Sequence, residues 1–510
     1  RKRMIIKQLP GAGQVHLVYD NRDRLIASQD ANQRVASKWL VTKYDHLNRP
    51  VMTAFKYFNP SESRESLQTF LNTFQGTMYE SRIEGGIGYN LSSLNPKFSL
   101  TETDLLTITY YDSYQISDTL KFYENDTVRV SNYYNSVTNK HYSEQTRSLI
   151  TGTRVKVLND YEHTAGQFTW LSTTIYYDDK YRPIQKLRDL KSSNSYDREI
   201  ISTLYDFIGK PKKVCTRQIF RGKVNTVTES YFYDHADRLV QIKHKLNKGT
   251  DQVLASMEYN DLGQLKRKTL HGQIGAGIQD LNYAYNIRGW LDSINSPSVN
   301  PLASSTKKLN LGLYYNNVPA GMPASAQYNG NISSIVWNTP VATLPSDTTF
   351  FPAYKKGYAF FYDNLNRLTA SVYRENKDFA KGTGANNERY TYDLNGNILS
   401  LSRYLKGKGK IDSLTYTYKN SNISNLLDKV ADASGTNGFV DGTNTSSDYF
   451  YDGNGNLTAD LNKGYTSILY NYLNLPKQIG TTNKRIKYIY DASGMKLAKV
   501  STDNDTNYYA

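Results

Sequence analysis

A seven-residue phrase recurs down this chain and limits what it can fold into. Tyrosine is followed by Asp or Asn, then three residues of turn character. Next comes usually Arg, Lys, Gln or Asn, then Leu, Pro or Ile. The phrase stands at Tyr19-Asp20 with Arg24-Leu25, Tyr44-Asp45 with Arg49-Pro50, and Tyr177-Asp178 with Arg182-Pro183. It returns at Tyr205-Asp206 with Lys210-Pro211, Tyr233-Asp234 with Arg238-Leu239, Tyr259-Asn260 with Gln264-Leu265, and more loosely at Tyr285-Asn286 with Trp290-Leu291. Tyr362-Asp363 with Arg367-Leu368, Tyr392-Asp393 with Asn397-Ile398, and Tyr451-Asp452 with Asn456-Leu457 follow. Tyr470-Asn471 and Tyr490-Asp491 end the series with weaker third parts.

Each phrase reads as the turn of a β-hairpin. In the clearest case, Tyr231 and Tyr233 share a face of the incoming strand, Asp234 starts the turn, and Arg238 opens the return. On that return strand Ile242, His244 and Leu246 alternate with Gln241, Lys243 and Lys245, which predicts one buried face. A lone hairpin is marginal in water, so its meaning lies in the repetition. From Tyr177 through Tyr205, Tyr233, Tyr259 and Tyr285 the steps are 28, 28, 26 and 26 residues, the length of two strands with a turn and a return loop. A self-similar period of this length signals a repeat array. Glycine fills the fifth place at Gly209, Gly263, Gly289, Gly396, Gly455 and Gly494, where a left-handed backbone suits the end of a hairpin turn. Tyrosine suits a pleated surface because its ring packs while its hydroxyl finds water or a partner.

The pattern resembles the YD repeat of RHS proteins, which include the shells of bacterial Tc-type toxins and the teneurins. The segment Leu9-Pro10-Gly11-Ala12-Gly13 through Leu25, then Trp39 to Asp45 and Thr151-Gly152-Thr153-Arg154-Val155, is similar to the Bacteroidota branch. The resemblance implies an all-β fold: hairpins joined edge to edge into a continuous spiralling sheet, a hollow shell or tube, with one short helical insertion. It further implies a non-enzymatic, exported protein, at the cell surface or outside the cell in association with the outer membrane. Such a shell encloses or presents its own C-terminal cargo or toxin region, or serves as a surface module. The Bacteroidota likeness adds a type 9 secretion outer-membrane translocon as partner. In such families the self-cleaving aspartates follow the repeats. The chain opens Arg1-Lys2-Arg3-Met4-Ile5, like the return half of a repeat, and stops in mid-strand at Ala510, which reads as a segment of a larger protein, so no catalytic residue carries over.

The chain has 44 tyrosines against 17 phenylalanines and 4 tryptophans, and hydrophobic residues make up only 38% of it, which fits thin walls better than a thick aliphatic core. The net charge of +15 raises the question of nucleic acid. Between Phe207 and Leu270 there are 13 Lys and Arg against 6 Asp and Glu. The lysines fall on outward strand positions, where they deter edge-to-edge aggregation, so nucleic acid is not the expected partner. Cys215 is the only cysteine and permits no internal disulfide. No apolar run reaches the roughly 18 residues of a membrane helix.

Taken in order, residues 1–58 hold two hairpins. Residues 59–176 form an insertion with irregular strands and a helix at 61–74, where Leu67, Phe70, Leu71 and Phe74 share a face, entered through Pro60 and Ser61. This helix is expected to cover a sheet edge. Within the insertion, Tyr110-Tyr111-Asp112 begins like a repeat but lacks the Arg. Residues 177–295 are the regular block, 296–357 a second insertion, and 358–510 the C-terminal hairpins, all of one β-shell. There, Leu414 to Tyr418 and Ile486 to Tyr490 alternate and should each bury one face. The loops 377–387 and 432–447 are the expected partner-facing parts.

No cofactor, metal or catalytic residue is expected. Asp452-Gly453-Asn454-Gly455-Asn456 and Asp393-Leu394-Asn395-Gly396-Asn397 look briefly like calcium loops, but a calcium loop needs Gly sixth and Glu twelfth. The first has Leu457 and Lys463 there, and the second has Ile398 sixth. The seven histidines form no metal pair, and the paired carboxylates Asp178-Asp179 and Asp234 with Asp237 are explained by turn chemistry. Each repeat Arg is expected to pair with its own Asp or lie on a neighbouring Tyr ring. Two other functions stay open on the residues alone. One is a surface adhesin whose tyrosine-rich face in 358–510 stacks on glycan. The other is a toxin or glycosidase enzyme.

Overall fold

The computed structural model describes residues 3–91, 96–116, 120–124, 140–158, 169–190, 197–295, 309–338, 355–375, 379, 384–435, 437–442, 446–502 and 506–508. Among them are thirty-two β-strands, three short α-helices and two 3₁₀ turns. Every strand pair with an assigned register is antiparallel, as expected of consecutive hairpins. The chain divides into two compact units, residues 1–228 with 449–510, and residues 229–448.

In the first unit the strands follow in chain order, each hydrogen-bonded to the next, from Ile6–Lys7 and Val15–Tyr19 through Leu25–Gln29, Lys38–Tyr44 and Pro50–Tyr57. The ladder continues through Leu105–Asp112, Thr146–Leu158, Trp170–Tyr177, Pro183–Asp189 and Arg198–Tyr205 to Pro211–Phe220. Residues 449–510 of this unit add the pair Tyr449–Tyr451 and Leu457–Asp460, then a ladder from Ser467–Tyr470 to Thr506–Tyr508. The two ladders meet where Arg485–Asp491 pairs with Thr146–Leu158, Tyr490 opposite Leu158 and Asp491 opposite Val157. Val157, Ile489, Leu497 and Ala498 bury one another at that seam.

The helix occupies Arg64–Thr73. It begins at Ser63, whose side chain accepts from the Ser66 amide and so satisfies one of the first turn's free N–H groups. Leu67 and Leu71 are fully buried against Val18, Ile26, Trp39 and Val41, so the helix lies on a sheet face. It covers an edge at one residue only. Gln68 bonds both the amide and the carbonyl of Tyr19, at 3.0 and 2.7 Å, just where the two-residue strand Ile6–Lys7 gives out.

The second unit is one meander from Leu239–Leu246 and Gln252–Tyr259, through Leu291–Ile294 and Asn310–Tyr314, to Gly409–Tyr418 and Leu427–Asp432. Its buried apolar cluster is small: Met322, Val336, Ala359 and Phe379. Burial therefore departs from simple alternation. Residues 239–245 are half-buried on both faces and Leu246 is exposed. Alternation does hold at Leu414 to Tyr418, with Leu414 and Tyr418 buried and Thr415 and Thr417 exposed. It fails at Ile486 to Tyr490, where Ile489 and Tyr490 are both buried at the seam just described. The outer edge of Leu427–Asp432 is capped by carboxylates: Asp448 accepts from the Val430 amide and Asp441 from the Asp432 amide. Among the described residues no helix is long and apolar enough to cross a membrane.

Candidate functional site

The recurring corner is the one constellation that the chain builds many times over. Its second residue makes the turn. Asp20 Oδ1 accepts the amides of Arg22 and Arg24, and Asp45, Asp178, Asp234 and Asp363 do the same with the residues two and four ahead. Asp452 and Asp491 follow suit, as do Asn260, Asn286 and Asn471. At Asp206 and Asp393 the bond to the sixth residue's amide is present. The fifth residue has positive φ throughout. The six glycines take it without strain, and Asp23, Asn48, Tyr181, Asp237, Asn366 and Asn474 adopt it too, at φ between 58 and 65°. One step into the ladder the register slips by a residue at the tyrosine, as at Val18/Tyr19 and Thr391/Tyr392. This bulge adds to the local twist of each hairpin.

The sixth residue ties the corner to its neighbour. Arg24, Arg49, Arg182, Arg238 and Arg367 each give Nε to the Oδ2 of their own Asp, at 2.6–2.8 Å. Each guanidinium also lies 4.2–5.0 Å from the centroid of the next corner's ring: Tyr44, Tyr111, Tyr205, Tyr259 and Tyr392. Arg182 and Arg367 reach on to the next turn, giving Nη1 to the carbonyls of Asp206 and Asp393 at 2.8 Å. Arg49 instead clasps the carboxylate of Asp112 with both Nη atoms. Where Asn replaces Arg, a shorter bridge does the same work. Asn397 Nδ2 links Asp393 Oδ2 to Asn425 Oδ1, and Asn456 Nδ2 links Asp452 Oδ2 to Asn474 Oδ1.

The first residue closes the circuit backwards. The hydroxyls of Tyr44, Tyr205, Tyr259, Tyr285, Tyr392 and Tyr470 donate to the carbonyls of Leu25, Pro183, Leu239, Leu265, Leu368 and Leu457, the seventh residue of the preceding phrase. Tyr177 and Tyr362 reach Ile150 and Ile332 in the same way. Tyr19 donates to Met4, and Tyr490 is buried at the seam with Asp491. Three tyrosines outside the phrase act alike: Tyr111 on Pro50, Tyr315 on Leu291 and Tyr418 on Ile398. Tyr111-Asp112 and Tyr315-Asn316 begin the phrase without completing it, and Tyr418 has only its preceding alternating strand, because this bond needs a hydroxyl and no Arg of its own.

The electrostatics follow from this packing. Partial burial pushes the phenols of Tyr44, Tyr205, Tyr259 and Tyr392 above the ordinary value. The Asp234 and Asp363 carboxyls are held below the usual range, first by the amides of Arg238 and Arg367 and then by the guanidinium groups. All these groups are fixed in mutual contacts, an arrangement suited to joining strands. In 358–510, Tyr362, Tyr392, Tyr418 and Tyr470 donate their hydroxyls to backbone carbonyls, Tyr373 and Tyr390 donate theirs to Glu375 and Glu388, and the Tyr392 ring lies under Arg367. Among the described residues no group of three His, Cys, Asp or Glu side chains is arranged to hold a metal ion.

Antiparallel hairpins stapled corner to corner by Asp, Arg and Tyr define the class of fold, a β-hairpin repeat array. No protein-family profile and no curated protein matches the sequence. Among solved structures, the Tc toxin TcdB2-TccC3 without its hypervariable C-terminal region superposes with a TM-score of 0.58 at 13% identity, and TcdB2-TccC3-TEV with 0.58 at 14%. Each match covers 99% of this chain and 20% of the other, so the chain spans about a fifth of the length of those proteins. The fold is therefore the RHS/YD shell type.

Proposed function

We propose that this chain is a stretch of non-catalytic shell wall in an exported RHS-type protein, enclosing or presenting a cargo region carried on the same polypeptide. The observation that carries the reading is the corner circuit. Almost every polar group of the motif is consumed in joining one hairpin to the next, which suits a wall and leaves little for chemistry. No repeat is stable alone, so stability accumulates with the number of neighbours. The likeness in fold to the TcdB2-TccC3 structures supports an encapsulating role. A Bacteroidota origin, surface localisation and a type 9 translocon as partner belong to the same proposal and rest on the sequence resemblance alone.

The test is protease protection of the native polypeptide that contains this chain. Any region enclosed by the wall should resist protease until the wall is opened by mutation of several corners, for example Arg182→Ala with Arg367→Ala. Cleavage at equal rates in wild type and opened variant rejects enclosure. Turnover of nucleic acid, nucleotide or glycan substrates by the isolated chain rejects the non-catalytic reading.

A further inference from the structure

We propose that the fifth residue of a corner determines specificity: an asparagine there is read by the fourth and sixth side chains of the preceding corner, and the match decides which hairpin is accepted as neighbour. The inference concerns the order of hairpins and holds whether or not the wall encloses anything. Hairpins built on one phrase are nearly alike, and repeat chains are prone to misassembly. A second signal is needed to tell neighbours apart.

One kind of joint uses asparagine. Asn48 Oδ1 accepts from Arg22 Nη1 at 3.2 Å and from Arg24 Nη1 at 3.0 Å, the fourth and sixth residues of the corner before. Asn474 Oδ1 accepts from the Nδ2 atoms of Asn454 and Asn456 at 3.0 and 2.8 Å. Asn366 Oδ1 accepts from Asn329 and Asn331 at 2.6 and 3.1 Å. Those two take the fourth and sixth places because Ile332 offers its carbonyl to the Tyr362 hydroxyl, as a seventh residue does. Asn425 accepts from Asn395 and Asn397 at 3.4 and 2.9 Å, and it stands fifth when counted back from Leu427, which faces Tyr418. A carboxamide oxygen has two lone pairs, and two donors from one corner fill them.

The other kind uses glycine, and the preceding fourth residue then has nothing to donate: Ala236 before Gly263, Leu262 before Gly289, Leu365 before Gly396 and Leu473 before Gly494. At Gly494 the Cδ1 atoms of Leu473 and Leu475 each lie 3.4 Å from where a Cβ would stand. Lys180 before Gly209 departs from the rule, and its Nζ sits 4.6 Å from the centroid of the Phe207 ring. The sixth-place arginines answer to the same letter. Before glycine, Arg182 and Arg367 give Nη1 to the second residue's carbonyl at 2.8 Å. Before Asn48, Arg24 gives Nη1 to the side chain at 3.0 Å, and the Asp45 carbonyl is left at 3.5 Å. Mixing the two kinds loses the bonds of one without gaining the packing of the other, which is how a joint rejects the wrong neighbour.

The test compares four forms of the whole chain: wild type, Asn366→Gly, Asn329→Leu with Asn331→Leu, and all three changes together, which copies the joint at Gly494. The Phe360 amide donates to the Ser333 carbonyl at 2.9 Å across this joint, so its hydrogen exchange reads the opening. Asn366→Gly should speed that exchange about fivefold, although glycine relieves a left-handed backbone at φ 61°. The leucine pair should do about the same. All three together should cost no more than either change alone, where independent effects would multiply to about twenty-five-fold. Asn366→Asp keeps an acceptor, as Asp23 does in the same place at φ 64°, and should exchange within about twofold of wild type. Exchange unchanged or slower in Asn366→Gly, as backbone relief alone would give, overturns the proposal. So do effects that multiply, or an Asp variant that behaves like the Gly variant.

Discussion

The hydroxyl of Tyr392 donates to the carbonyl of Leu368, 24 residues back, across 2.6 Å. The bond spans two hairpins, while the ring of the same tyrosine lies under Arg367. Removing only the hydroxyl in Tyr392→Phe should lower the stability of the second unit by about 1 kcal/mol, the net worth of one such bond. Tyr392→Ala also loses the ring and should cost about 2–3 kcal/mol, below the range for a fully buried aromatic because Tyr392 is half-buried. Urea unfolding read by hydrogen exchange across residues 356–405 measures both. A Phe variant as stable as wild type would show that the hydroxyl joins nothing.

Arg367 holds Asp363 Oδ2, the Asp393 carbonyl and the Tyr392 ring together. Lysine offers a point charge and no fork, so Arg367→Lys should lower the melting temperature by a few degrees despite the retained charge. The Asp363 carboxyl, held low mainly by the Arg367 amide, should rise only part of the way in this variant, which NMR titration reads directly. Because its folded value lies below the unfolded one, its contribution is present above the ordinary carboxylate range and is lost as pH falls through the lowered value.

Tyr181 sits at the fifth place of its corner with φ 62° and is more than half exposed. A left-handed backbone costs a non-glycine residue about 1–2 kcal/mol, so Tyr181→Gly should stabilise the first unit by about 1 kcal/mol, net of the extra freedom glycine has when unfolded. The reverse holds at Gly396, φ 89°, where an added Cβ meets open space. Gly396→Ala should cost about 1 kcal/mol through the backbone alone. Paired thermal melts of the two variants check the sign.

What could be read in advance follows from where each constraint acts. The turn is local: Asp363, its two amides and Arg367 lie within five residues, so the phrase announces itself. The link to the next corner acts at a distance and has more than one chemical solution, so the phrase shows Asn397 and Asn456 in the place of Arg but not the bridges they make to Asn425 and Asn474. Tyr111, Tyr315 and Tyr418 stand outside any complete phrase, since each supplies only a hydroxyl to a carbonyl already in place. The alternation drawn for Ile242, His244 and Leu246 fails because period two promises a buried face only where something covers it. The pairing of Arg485–Asp491 with Thr146–Leu158 joins residues more than three hundred apart and leaves no periodic trace at all.

Alkali should open the fold. Burial raises the phenol pKa of many tyrosines, with Tyr89 and Tyr373 pushed to about 12. In the unfolded chain each ionises near 10. Between those values the folded state binds more protons, so stability is complete below pH about 10 and falls as pH rises beyond it. Lys156 works the opposite way in a lower window. Burial lowers it to about 8, so between that value and about 10.4 its contribution improves with pH. Tyrosines far outnumber this lysine, so phenolate absorbance and loss of β-sheet dichroism should appear together above pH 10. Phenolate formation without unfolding would mean that the hydroxyls are not tied as described.

The seam within the first unit is the last place where a single change has a large expected effect. Ile489, Leu497 and Ala498 bury against Val157, and the Ala492 amide donates to the Lys156 carbonyl at 2.8 Å. Further along, Tyr472 stacks edge-on against Phe55 at 5.0 Å, and the Gly13 amide donates to Gly453. The turns of residues 449–510 thus rest on the sheet of residues 1–228 through small or aromatic residues. Leu497→Ala should cost about 2–4 kcal/mol, the usual range for a buried leucine. Ile489→Asp buries a charge with no partner and should release residues 449–510 altogether. Limited proteolysis should then cut near residue 448 while the strands of 1–228 stay protected, and hydrogen exchange should rise in 146–158. If Ile489→Asp leaves the cleavage pattern of the wild type unchanged, the apolar seam is not what binds these two stretches of chain.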